Sequence, residues 1–390
     1  MKICIIMNVF SVGGFTASIL PMLKYLSAQG VQVQLLLFEK SDIPVPEYDG
    51  LTVQYITQPM ASWKKWLRFF TNPYYMYRFA AATLFDRGRY THLMVKWMQV
   101  LFYLNVSQYA VPHDLTAYDC VVAWEESFPS YYLSKVVKAK RKVSVFHTDY
   151  KIAQMDPHMD KKGYRDIDKI MTVSGATQKV LQEMLPFYSH KIGNFRNVLD
   201  VEKITTLAQQ PTELFLKSSF DCITVARLEN NAKALDRLVR ICARLKADGI
   251  AFHWYLVGDG PYRAQFEAQI AAAEVGDIIH LLGVKSNPHP YTKQADLFVL
   301  QSYYEGKPIS VDEALIIGTP ALISEYKSAH EQIIEGENGF IAQNDEDAIY
   351  QKLKYLITHP EEVAAVKEKL TQQDLSIFTD TSSFLAQLSE

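Results

Sequence analysis

Residues 296–324 read DLFVLQSYYEGKPISVDEALIIGTPALIS, and the rest of the chain is organised around them. Residues 297–300 are a short apolar run suited to a strand buried on both faces. Tyr303, Tyr304 and Gly306 form a turn. Pro308 opens a helix, because proline fits the first helical position, where no amide donor is needed. Ile309, Val311, Ala314, Leu315 and Ile316 supply its apolar side, Gly318 ends it, and residues 319–324 return as a second strand.

The turn gathers backbone amides at Lys307, Ile309 and Ser310. A helix start carries partial positive charge and suits a phosphate. Glu305 lies in the turn and Glu313 in the second helical turn, within reach at about 1.5 Å of rise per residue. Amides donate to phosphate and carboxylates accept from hydroxyls, so a phosphate-bearing ligand with sugar hydroxyls fits.

Upstream, residues 2–7 read as a strand, Val12-Gly13-Gly14 as a turn, 16–25 as a helix and 31–38 as the next strand. That order opens a doubly wound α/β sheet. The glycine spacing is not Gly-x-Gly-x-x-Gly, so the dinucleotide fingerprint is absent. Residues 118–124, 142–146 and 169–174 read as further strands. His147 follows the carboxyl end of one of them, where an open α/β sheet places its ligand crevice. Residues 222–226, 253–257 and 278–282 are strands of a second half, and 345–356, 360–370 and 376–388 read as helices.

Residues 60–105 differ in kind. Lys64, Lys65, Arg68, Arg78, Arg87, Arg89 and Lys96 face a single acid, Asp86, and are interleaved with Trp63, Trp66, Phe69, Tyr74 and Trp97. Such a mixture suits an anionic membrane surface, or helices that pack aromatics inward under a basic face. No nucleic-acid motif accompanies it, so no nucleic-acid partner is expected.

The chain has 390 residues, enough for two domains. Its 48% hydrophobic and 21% charged composition is that of a soluble globular protein. A net charge of −3 excludes no class of partner. Cys4, Cys120, Cys222 and Cys242 are widely spaced in apolar segments and read as buried thiols of a reducing compartment. No apolar run approaches the roughly 18 residues of a membrane span, and the one at the N-terminus is too short for a signal sequence.

Glu305 and Glu313, with Gly306 and Pro308 between them and Gly318-Thr319-Pro320 after, resemble the Glu-x7-Glu motif of family 4 glycosyltransferases. Arg227-Leu228 with Lys233 is similar to that family's Arg-Leu…Lys element, here one residue longer than its commonest form. Gly258-Asp259-Gly260-Pro261, Gly283-Val284 and residues 329–340 continue the likeness in family order, and residues 195–200 resemble its domain exit. The resemblance implies an α/β fold of GT-B type, two Rossmann-like doubly wound domains facing across a cleft. It places an acceptor-side domain at 1–200, a nucleotide-sugar domain at 201–374, and a terminal helix at 375–390 crossing back to the first.

It also implies a retaining transfer of a hexosyl group from a UDP- or GDP-linked sugar to a glycan or lipid-linked acceptor, in cell-surface polysaccharide synthesis. Arg227 and Lys233 would grip the diphosphate, Glu305 the donor sugar, Glu313 the ribose, and His147 would lie close to sugar or acceptor. Gly14, Gly258, Gly283, Val284, Gly306, Lys307, Pro308, Ile309 and Ser310 complete the expected donor site. Asp166 with Asp168, and Asp345 with Asp347, do not follow strand ends, so both pairs read as solvated carboxylates and transfer is expected to need no metal and no cofactor beyond the nucleotide sugar. The expected location is cytoplasmic, with residues 60–105 as the candidate membrane contact. Rival expectations are a catalytically silent GT-B subunit that binds glycan or a partner, and a nucleotide-sugar epimerase or hydrolase.

Overall fold

The computed structural model describes residues 1–10, 14–41, 43–56, 99, 106, 113–151, 153, 155–213, 215 and 219–389. Nearly all of the basic, aromatic stretch 60–105 lies outside the described residues, and so does Gly13. The chain divides into two compact units, Met1–Arg196 with Thr381–Glu390, and Asn197–Asp380.

In the first unit the strands are β1 (Lys2–Met7), β2 (Gln32–Leu37), β3 (Leu51–Tyr55), β4 (His113–Asp114), β5 (Cys120–Ala123), β6 (Val137–Lys138), β7 (Lys142–Phe146), β8 (Lys169–Thr172) and β9 (Ile192–Asn194). Seven form a parallel sheet in the order β3-β2-β1-β5-β7-β8-β9, while β4 and β6 make a small ladder of their own. Strand β1 explains the arrangement. Its Ile3 to Met7 are apolar without a break and fully buried, as required of a parallel strand covered on both faces. The helix Gly14–Ala28 follows it and lies against β2.

Residues 381–390 complete this unit. The expected continuous helix 376–388 is instead a 3₁₀ turn, Leu375–Phe378, and a separate helix, Ser382–Ser389. The break falls where the chain passes from one unit to the other. Phe378 is buried in the second unit, whereas the Phe384 ring lies 5.7 Å from that of Trp124 and 5.4 Å from that of Phe195 in the first.

The second unit contains β10 (Phe220–Val225), β11 (Phe252–Val257), β12 (Ile279–Gly283), β13 (Leu297–Leu300), β14 (Ala321–Ser324) and β15 (Gly339–Ala342). The order is β12-β11-β10-β13-β14-β15, all parallel. The chain runs outward from β10 to β12 and then crosses back to β13, so the strand order reverses between β10 and β13. Loops beyond the carboxyl ends of two such strands diverge and leave room for a ligand. The stretch 297–300 is β13, and all four of its residues are fully buried. All four cysteines are buried and unpaired, and burial pushes the Cys4 and Cys120 thiols up to about 12.

Candidate active site

The reversal between β10 and β13 assembles most of the expected residues of the second unit. The Lys233 ammonium meets Oε1 of Glu305 at 2.5 Å, and both side chains are largely buried. The Ser302 hydroxyl donates to the same oxygen at 2.5 Å. Oε2 of Glu305 accepts from no group that the described residues supply. Lys233 ends a short helix, Asn230–Lys233, and Ala234 then takes up left-handed dihedrals, φ 51° and ψ 45°. A non-glycine residue there costs about 1–2 kcal/mol, and fixed contacts offset it. The Lys233 carbonyl accepts from Gln301 Nε2 at 2.9 Å, and the Tyr303 amide donates to the Ala232 carbonyl at 2.8 Å.

Arg227 projects, exposed, from the loop after β10. The two glycines beyond β11 hold that loop. A Cβ on Gly258, whose φ is +142°, would lie 1.9 Å from the Ala226 carbonyl oxygen, and one on Gly260 would lie 2.4 Å from that of Leu228. Hydrogen bonds from Ala226 N to Val257 O at 3.1 Å and from Leu228 N to Asp259 O at 3.0 Å zip the two loops together. The close approach these glycines permit in the structure is therefore backbone against backbone. Gly258 also donates to the Gly283 carbonyl at 2.8 Å, and Val284 beyond it is 72% exposed.

The helix after β13 spans Ile309–Ile317 and ends at Gly318 with φ 87°. Pro308 is its N-cap, not its first helical residue, because ψ 117° keeps it extended. Its carbonyl accepts from Gln332 Nε2 at 3.1 Å, and the same amide group donates to Asp312 at 2.8 Å, which occupies the buried acid of the first turn. Glu313 stays partly exposed, with Oε1 3.6 Å from His289 Nε2. Gly306 and Lys307 lie between Glu305 and this helix, and Ile309 and Ser310 are its first two residues, each partly exposed.

His147 and Gly14 belong to the first unit. There the structure gathers residues at the carboxyl ends of β1, β5 and β7. Glu125 accepts from the Asn8 amide at 2.9 Å and its side chain at 2.7 Å, and burial raises its pKa. Glu126 accepts from the His147 amide at 3.3 Å and the Thr148 hydroxyl at 2.8 Å. His147 Nε2 donates to the Trp124 carbonyl at 2.8 Å, which leaves Nδ1 as the acceptor of the neutral ring, and burial lowers its pKa. Phe15, next to Gly14, sets its ring 5.1 Å from that of His147. Gly14 itself is exposed, and a Cβ there would meet nothing within 4 Å.

Both Asp-x-Asp strings serve the fold. Asp168 accepts from the Lys142 amide at 2.7 Å, Asp345 caps its helix at the Ala348 amide at 2.9 Å, and Asp347 pairs with Arg244 at 2.6 Å. The sequence reading passed over Gln301, Ser302, His289, Glu125 and Glu126. Four of them carried a usable signal, their place just past a strand: Gln301 and Ser302 after 297–300, and Glu125 and Glu126 after 120–123.

Residues 209–373 match the family model described as glycosyl transferases group 1. That match lies within the second unit. The amylovoran biosynthesis glycosyltransferase AmsK of Erwinia amylovora is 26% identical over 53% of this chain and 52% of its own length. A Campylobacter jejuni protein is 26% identical over 53% of this chain and 55% of its own. Its name describes an N-acetylgalactosaminyltransferase acting on a diphospho-undecaprenol-linked sugar. Such alignments span about half the length, or less, of the curated relatives this chain matches. The crystal structure of Anabaena HepE with UDP and glucose superposes over all of both chains with a TM-score of 0.70 at 15% identity. The fold is GT-B, with a Rossmann-like sheet in each unit. Among the described residues, no helix is long and apolar enough to cross a membrane.

Proposed function

We propose that this chain is a retaining glycosyltransferase that moves a sugar from a UDP- or GDP-linked donor to a glycan or lipid-linked acceptor during polysaccharide synthesis. The observation that carries the proposal is the Lys233–Glu305 pair at the strand-order reversal of the second unit, beside a helix start. A cation, a carboxylate and a helix pole gathered at one turn match a ligand that is anionic at one end and hydroxylated at the other.

In this proposal the diphosphate docks against Arg227, Lys233 and the amides after Gly306. Lys233 then exchanges part of its contact with Glu305 for phosphate oxygen. Glu305 Oε2 takes a hydroxyl of the donor sugar, and Glu313 takes the ribose hydroxyls. As the bond from the anomeric carbon to the diphosphate oxygen breaks, the acceptor oxygen bonds to that carbon from the same face. The acceptor proton passes to the departing diphosphate oxygen, so the reaction balances without an enzyme nucleophile and retains configuration. Preorganised cations stabilise the leaving charge, a role that makes a metal dispensable. In the first unit, Gly14 is a proposed donor-site residue, and His147 is proposed to lie close to the donor sugar or the acceptor. The Campylobacter relative's name supports a lipid-linked acceptor and with it work at the cytoplasmic membrane face.

The test is a screen of UDP- and GDP-sugars by thermal shift, since a ligand of the native state raises its melting temperature. Turnover of the best donor is then measured in the variants. Lys233→Met and Arg227→Ala should each reduce turnover about 10²–10³-fold, chelator should leave the wild-type rate unchanged, and NMR of the product should show the donor's anomeric configuration. Unchanged kinetics in both variants, or an inverted product, would reject the proposal.

A further inference from the structure

Arg237 lies on the buried side of the helix Leu235–Ala247, beside Leu238 and Ile241, and is only 2% exposed. Its Nη2 donates to the main-chain carbonyl of Gln301, and its Nη1 to Asn344 Oδ1 at 3.0 Å. The guanidinium stands over the Tyr303 ring, 4.6 Å from the centroid. Nε is buried and has no hydrogen-bond partner among the described residues. Every one of these partners is neutral. The acids nearest in sequence and space are engaged elsewhere, since Asp236 and Glu346 pair with Arg240 at 2.9 and 2.7 Å. Glu305 is engaged by Lys233.

The other two arginines of the helix, Arg240 and Arg244, each have carboxylates. Arg237, the one facing inward, has none within ion-pair distance among the described residues. A guanidinium does not shed its proton in a protein, and a buried charge without a counter-charge is costly. Its surroundings show where a further counter-charge would act. Gln301, whose carbonyl Arg237 grips, also holds the Lys233 carbonyl through its side chain. Tyr303, the ring beneath the guanidinium, is tied by its amide to Ala232 and by its carbonyl to Asn344 at 2.8 Å. Arg237 therefore underlies the turn that carries Lys233 on one side and Glu305 on the other.

We propose that Arg237 is a positioning residue whose buried charge attracts the nucleotide's diphosphate to this turn without touching it. The inference rests on the second unit being the nucleotide-sugar site. Bound diphosphate then adds to the through-space attraction of Asp236 and Glu346, neither of which is in ion-pair contact with Arg237. Two charges about 10 Å apart at an effective dielectric constant of about 20 interact strongly enough to change affinity about tenfold. Protein packed between the pair limits screening by salt.

The experiment titrates the full chain with UDP and with GDP by calorimetry, in wild type and in Arg237→Lys, Arg237→Met and Arg237→Gln. All three variants lose the forked donors to Gln301 and Asn344, and only the lysine keeps the charge. Lysine should bind the better of the two nucleotides within about threefold of wild type, and the two neutral variants about tenfold more weakly than lysine. Two neutral variants guard against one failing to fold, which melting curves without ligand report. Equal dissociation constants for the lysine and neutral variants would overturn the inference and leave Arg237 as a mechanical tie. Wild type that binds neither UDP nor GDP would instead overturn the donor-site proposal beneath it.

Discussion

Gly258→Ala tests the construction of the site more directly than any charged residue. The added Cβ would sit 1.9 Å from the Ala226 oxygen, on a backbone whose φ of +142° suits glycine alone. Non-bonded atoms settle at about 3.5 Å, so the two loops would have to part by roughly 1.5 Å. The dihedral strain costs about 1–3 kcal/mol and the overpacking about 1–3 kcal/mol more. The displaced Ala226 and Leu228 amides would lose hydrogen bonds now 3.1 and 3.0 Å long, at about 1 kcal/mol each. These terms overlap, since parting the loops relieves the clash by stretching the bonds. A net loss of about 3–5 kcal/mol is expected, a large share of the stability of an ordinary domain. Urea unfolding of the full chain measures it, with Gly276→Ala as the reference, because a Cβ there finds its nearest neighbour at an ordinary 3.9 Å. Arg227 rides on the displaced loop, so the folded fraction of Gly258→Ala should also bind nucleotide less well. Wild-type stability in Gly258→Ala, within 0.5 kcal/mol or so, would refute this account of why glycine stands there.

Asp160 is fully buried, with Tyr131, Tyr150 and Gln99 donating to it and no cation pairing with it among the described residues, and burial raises its pKa from 3.8 to about 7. A raised folded-state value favours the fold at low pH, and that contribution is lost as pH rises from 3.8 through about 7. Three pKa units correspond to about 4 kcal/mol, so Asp160→Asn should flatten the fall in denaturation midpoint between pH 4 and 7. An unchanged slope would show that the folded-state pKa is not raised and that the acid is charged in the folded and unfolded chain alike. Gly14→Ala should leave stability unchanged or raise it by about 0.4–1 kcal/mol, since the position is open; if turnover also stays at the wild-type level, Gly14 has no part in the site.

How much the sequence disclosed varies by element for physical reasons. Strands β1 and β13 are covered on both faces, so Ile3 to Met7 and Leu297 to Leu300 are written as unbroken apolar runs, and β10 and β11 are interrupted only by Asp221, Thr224 and His253. Strand β3 lies at a sheet edge with most side chains exposed, so its LTVQY mixes polar and apolar residues and lacks the apolar run of a covered strand. Strands β9 and β15, IGN and GFIA, are too short and too rich in glycine to stand out. At the site, the helix and the turn before it were legible because Pro308 and Gly318 mark them. The Lys233–Glu305 contact was not, since 72 residues separate its partners and only the adjacency of β10 and β13 joins them. Arg237 was least legible of all. On an amphipathic helix, charge is expected on the outer face, and nothing in the local pattern says that this one points inward.

Residues 381–390 have a bearing on how the molecule is made. They leave the ribosome only after the whole of 197–380, yet Phe384 closes over Trp124 and Phe195, and the Gln387 carbonyl takes the Arg141 guanidinium at 3.1 Å, all in the unit translated first. Domains usually mature in the order they emerge. Here the earlier one must wait, with two aromatic side chains uncovered, until its successor has been synthesised. A nascent chain halted near residue 200 should therefore offer chaperones an apolar surface that the finished protein conceals.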